Sequence, residues 1–148
     1  MAIKTVGVLG CGLMGAGIAQ VCAAAGYQTI VREVDQALLD KGLGRVRKFL
    51  EDGVAKGKVT AEARDTTLGN LSGATSVDAL KDCDLIIEAI IENLEEKRKT
   101  YAALEMVVGA HTIVLSNTSS LCITELAAAT KRPDRFGGLH FFNPVPLM

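Results

Sequence analysis

Residues 5–20 read Thr-Val-Gly-Val-Leu-Gly-Cys-Gly-Leu-Met-Gly-Ala-Gly-Ile-Ala-Gln, and no other stretch restricts the fold as much. A short apolar run at 6–9 leads into glycines at 10, 12 and 15, and helix-forming residues follow as far as Gly26. The pattern predicts a strand, a tight turn and a helix. In a dinucleotide fingerprint the first glycine permits the turn, the second lets a pyrophosphate approach the backbone, and the third lets the helix pack on the strand. The helix N-terminus then presents free N–H groups and the positive end of its dipole. Gly10, Cys11, Gly12, Leu13, Met14 and Gly15 are therefore the candidate cofactor loop.

Context supports this reading. A second apolar run, residues 28–32, ends in Glu33, about 20 residues past the glycines, where a ribose-binding acid is expected. A carboxylate there accepts hydrogen bonds from the adenosine ribose and repels a 2′-phosphate, which favours NAD over NADP. Arg32 pulls the other way, although strand alternation points its side chain away from its neighbour's.

The 148 residues are one domain by size, and 49% hydrophobic composition suffices for a core. A net charge of -1 provides no basic field for nucleic acid or an anionic membrane. No apolar run approaches the roughly 20 residues that cross a bilayer. Cys11, Cys22, Cys83 and Cys122 form no CxxC pair and have no histidine at ligand spacing, so neither a metal site nor a disulfide scaffold is expected. Reduced thiols in a cytoplasmic protein fit best. Cys11 falls at a helix N-terminus, where a thiolate would be stabilised, but as a free position of the turn it reads as small filler.

Further along, Asp35 caps a helix over residues 36–56 that ends at Gly57, and Thr60 caps a second through 67. Lys56 and Lys58 in the turn between them either meet the phosphates of a nucleotide-bearing substrate or are solvated at a helix C-terminus. A weak strand over 71–75 and a short helix over 76–80 lead to residues 84–89, whose continuous apolar centre predicts a strand buried on both faces. Glu92 lies in the loop beyond, at the ligand edge of such a sheet. Asn93 caps the next helix, with Gly109 as its stop. Lys97 in the first turn opposes the dipole, so either a ligand anion or a glutamate partner is expected beside it. A strand over 112–115 ends in five small polar residues, 116–120. A helix over 123–130 and a strand over 135–139 bring the chain to His140.

Four motifs, GCGLMGAGIAQ, EAIIENLEEK, SNTSSLCITELA and HFFNPVP, in this order from Ile3 to Met148, resemble the L-3-hydroxyacyl-CoA dehydrogenase family, bacterial 3-hydroxybutyryl-CoA dehydrogenases in particular. The resemblance implies NAD-dependent interconversion of an L-3-hydroxyacyl-CoA and a 3-ketoacyl-CoA in fatty-acid or butanoate metabolism. His140 would be the general base, Ser119 would hydrogen-bond the reacting oxygen, and Asn117 and Asn143 would fix the substrate and the nicotinamide end of the cofactor. Glu92, Lys97 and Ser119 match positions that contact NAD, and Lys56 and Ser119 positions that contact the acyl-CoA. Phe49 stands where some members carry a serine near coenzyme A.

In the family a glutamate that orients the histidine follows HFFNPVP, and then a helical domain that closes the cleft and forms a homodimer. Neither is in this sequence, so poor turnover by the chain alone is expected. Phe141, Phe142, Val145, Leu147 and Met148 read as an apolar tail in need of a packing partner outside the chain. Two other functions stay open: a cofactor-binding structural protein of the lens-crystallin kind, and a dehydrogenase of a hydroxy acid not linked to coenzyme A. The expected fold is a Rossmann-type, doubly wound α/β domain with helices on both faces and six mainly parallel strands in the order 3-2-1-4-5-6.

Overall fold

The computed structural model describes residues 2–148. β1 (Thr5–Leu9), β2 (Gln28–Arg32), β3 (Leu71–Ala74), β4 (Leu85–Glu88), β5 (Ile113–Ser116) and β6 (Phe136–Gly138) form one sheet. Their order is β3-β2-β1-β4-β5-β6 and every pairing is parallel. The chain winds outward from β1 in one direction, crosses back, and winds outward again from β4. The switch therefore lies between β1 and β4, whose C-terminal residues Leu9 and Glu88 stand in register. Parallel strands need crossovers, and α1 (Leu13–Ala24), α2 (Gln36–Ala55), α3 (Ala61–Gly69), α4 (Leu94–Glu105) and α5 (Ile123–Ala128) supply the helical layers.

Strand alternation divides the core into two. Val6, Val8, Val31 and Ile87 pack with Ile18 and Ala19 of α1 and Leu39, Val46 and Leu50 of α2. Leu9, Ile86 and Val114 pack on the other face with Tyr101 and Leu104 of α4 and Leu126 of α5. Each fully buried Leu or Ile contributes about 1.5–3 kcal/mol. Phe136 of β6 closes the second layer edge-on against Tyr101, with ring centroids 5.2 Å apart.

Asp35, Thr60 and Asn93 cap α2, α3 and α4 by accepting from the amides of Leu38, Ala63 and Glu96. Two expectations are corrected. α4 ends at Glu105 rather than near Gly109, because the amides of Met106 and Val107 turn back to carbonyls three residues earlier, which tightens the last turn and buries Val108. The tail beyond β6 also finds part of its packing within the chain. Val145 is buried against Gly17 of α1 and Phe141 packs on the first core layer, while Phe142, Leu147 and Met148 remain exposed. Among the described residues no helix is long and apolar enough to cross a membrane.

Candidate functional site

At the switch point the C-terminal ends of β1 and β4 diverge and the glycine loop fills the gap. Gly10 has φ 94°, and a Cβ there would come within 2.5 Å of the Ala89 carbonyl oxygen. A Cβ on Gly15 would collide with the Gly10 carbonyl, so only glycine lets α1 start directly against the strand end. Around Gly12 there is open space. Unlike α2, α3 and α4, α1 has no side-chain cap, and the amides of Leu13 and Met14 have no partner among the described residues. Two unpaired donors at the positive end of a helix dipole, with space in front of them, suit an anionic ligand.

Glu33, just past β2, accepts from the Cys11 amide at 2.8 Å and from the Val34 amide at 2.7 Å. Its carboxylate therefore holds the glycine loop and the end of β2 together. Arg32 donates Nε to the Thr75 carbonyl at 3.0 Å. Both residues border a cavity of about 330 Å³, together with Gly10, Gly12, Leu38 and Ile91. The Cys11 thiol is buried, and burial, seconded by the charge of Glu33, pushes its pKa up to about 11.

A second cavity, of about 360 Å³, lies over the ends of β4, β5 and β6. Met14, Glu92, Asn117, Ser119, His140 and Asn143 all line it. His140 is exposed, with its ring 4.9 Å from that of Phe142. Asn117 Oδ1 accepts from the Phe141 amide at 2.7 Å, and the Asn117 amide donates to the Glu88 carbonyl at 2.8 Å. With the Leu139 amide bonded to the Ser116 carbonyl at 2.9 Å, the segment carrying His140 is tied to β5 on both sides. The Ser119 hydroxyl is exposed and has no hydrogen-bond partner among the described residues.

Beneath this cavity lies a buried polar cluster. Glu88 Oε1 accepts from Lys97 Nζ at 2.6 Å and from the Ile90 amide at 2.8 Å, while Oε2 accepts from Tyr101 and Ser116 hydroxyls, each at 2.7 Å. Glu88 and Lys97 are both buried. Burial and the adjacent carboxylate drive the Tyr101 phenol well above its usual range. Glu92 Oε2 is 3.9 Å from Lys97 Nζ, and its Oε1 accepts from the Thr118 and Ser120 hydroxyls.

The chain matches the family model described as 3-hydroxyacyl-CoA dehydrogenase, NAD binding domain, over residues 5–148. It belongs to the 3-hydroxyacyl-CoA dehydrogenase family. NAD is the cofactor of this domain. The 3-hydroxybutyryl-CoA dehydrogenase of Mycobacterium tuberculosis is 49% identical over 148 residues, covering 99% of this chain and 52% of that protein. For that of Bradyrhizobium diazoefficiens the identity is 47% over 146 residues, covering 99% and 50%. The crystal structure of M. tuberculosis FadB2 superposes with a TM-score of 0.96 at 47% identity, covering 100% of this chain and 52% of that one. The chain thus spans about half the length of the relatives it matches.

Against the positions this family suggests, the structure places Met14, Glu92, Lys97, Asn117, Ser119, His140 and Asn143 around one cavity. Gly10, Gly12 and Glu33 border the other. Lys56 is apart from both: it is exposed at the C-terminus of α2. Phe49 lines a groove between α1 and α3 with Val59 and Pro146. The partner of Lys97 is a glutamate of the chain itself, Glu88. The sequence marks Ser116 and Thr118 only as members of the polar stretch 116–120, and it does not single out Glu88 or Tyr101. The available signal was an acid closing an apolar strand, with a lysine nine residues later.

Proposed function

We propose that this chain is the cofactor-binding half of an NAD-dependent L-3-hydroxyacyl-CoA dehydrogenase of fatty-acid or butanoate metabolism. The observation that carries the reading is the convergence of His140, Ser119, Asn117 and Asn143 with Met14 of the glycine loop on one cavity at the sheet's C-terminal edge. The uncapped α1 N-terminus would receive the pyrophosphate, and Glu33 the adenosine ribose. NAD, held by these residues, would supply the hydride acceptor or donor for substrate C3. The imidazole of His140 takes the proton of the C3 hydroxyl in the oxidative direction and returns it to the carbonyl oxygen in the other. Ser119 donates a hydrogen bond to the same oxygen. Asn117 keeps the histidine's segment in place through the Phe141 amide.

The whole enzyme would add a helical domain that closes the cleft and supports a homodimer; the relatives are about twice as long as this chain, which leaves room for a second domain of some kind. Lys56 would reach the coenzyme A portion in that assembly. Four free cysteines fit a cytoplasmic location.

The test is reduction of acetoacetyl-CoA by NADH in a single-turnover assay, with the chain and its His140→Gln variant each joined to a relative's C-terminal half. Loss of reduction by about 10²–10⁴-fold with NADH affinity retained is expected for His140→Gln. Unimpaired reduction would remove His140 as the base. Absence of reduction by the parent protein, with NADH bound, would favour a structural protein or a substrate without coenzyme A.

A further inference from the structure

Glu88 is an ionisable group with no exposed surface, and it accepts one hydrogen bond from each of four segments: the loop after β4, the first turn of α4, the next turn of α4, and the end of β5. Holding a carboxylate ionised at such depth is costly, and a well-packed apolar side chain fills a core equally well. The distinguishing product of the charge is Lys97. Its ammonium sits 2.6 Å from Glu88 and 3.9 Å from Glu92, beside the hydroxyls of Tyr101 and Ser116 that share Glu88.

Two carboxylates around one ammonium leave the cluster with one net negative charge. That charge is unfavourable for phosphate and suited to hydroxyl donors. Glu92, held by Lys97, Thr118 and Ser120, lines the cavity together with Lys97.

We propose that Glu88 is a positioning residue that acts through Lys97, fixing that cation so that Lys97 and Glu92 together receive the hydroxyls of the nicotinamide-side ribose. This rests on the cofactor reading of the cavity. The adenosine end, at Gly12 and Glu33, lies in the other cavity, which neither Lys97 nor Glu92 lines.

Calorimetric titration of the chain with NADH and, separately, with ADP tests this. ADP carries the adenosine and phosphates but no nicotinamide ribose. Glu88→Gln keeps the side chain's size and removes its charge. The expected result is NADH binding weakened about tenfold with ADP binding unchanged, and a Glu88→Gln/Lys97→Met double variant no weaker for NADH than Lys97→Met alone. A merely structural glutamate would weaken both ligands alike. If Glu88→Gln fails to fold, Lys97→Met carries the test, with loss of NADH affinity and retention of ADP expected. Unaltered NADH binding in either single variant, equal losses for the two ligands, or additive losses in the double variant would overturn the role of Glu88. No binding of either ligand by the parent chain would overturn the cofactor reading, and this proposal with it.

Discussion

Gly15 and Glu88 mark the two ends of what single residues disclose. Gly15 was readable because its constraint is local: the strand, turn and helix are contiguous, and only a residue without Cβ passes the Gly10 carbonyl. Gly15→Ala should therefore cost about 1–3 kcal/mol of stability and abolish NADH binding, read by urea unfolding and titration. A variant as stable as the parent with unchanged affinity would show that the helix start tolerates displacement. Glu88 was illegible because its partners come from β5 and α4, and only folding brings them within 2.7 Å. Lys97 illustrates the point, since its position in the first turn was informative but its choice between ligand anion and glutamate was decided by tertiary structure. The cysteines provide a separate check. Burial pushes Cys11 and Cys22 up to about 11 and Cys83 to about 12, whereas Cys122 is exposed. A thiol-disulfide reagent at neutral pH should label one cysteine per native chain rapidly, at Cys122, and the other three only on unfolding. Rapid native labelling of Cys83 would contradict the packing of the second core layer.

Elements were legible where a cap or a stop is written in the chain. Asp35, Thr60 and Asn93 announce their helices, and each accepts the amide three residues on. Asn93→Ala should cost about 1 kcal/mol, measured by urea unfolding, and no loss would show that α4 is held by packing alone. The end of α4 was less legible because it depends on Arg132, far along the chain. Arg132 binds Glu105 through Nε and Nη2 and the Gly109 carbonyl through Nη1, which fixes the turn between α4 and β5. This pair also sets a pH dependence. The Arg132 hydrogen bond holds the Glu105 carboxyl below its usual range, so the stability it provides is present above the unfolded value of about 4.3 and is lost as pH falls through the lower folded value. Glu105→Gln should accordingly destabilise the chain by about 1 kcal/mol near pH 7, with the gap closing in acid. A gap that persists unchanged at about pH 3 would show that packing, not charge, is responsible.

For the whole molecule, strand order followed from the alternation of strands and helices with right-handed crossovers, which place ligands where the winding reverses. The same logic put residues 116–120 and 140–143 on one edge, and the two cavities adjoin at Ala89 and Ile90, just beyond β4. Sequence pattern had less to say about the segment after β6, whose Val145 returns to cover Gly17 instead of staying free. Apolar periodicity reports what must be buried but not which surface buries it. The proposed NAD site joins an uncapped α1 N-terminus for phosphate to Glu33, which discriminates at the ribose. Calorimetric titration with NADH and then NADPH tests it most directly. NADH is expected to bind with NADPH at least about tenfold weaker, the cost of setting a 2′-phosphate against a fixed carboxylate; equal affinities, or no binding of either, would exclude this site.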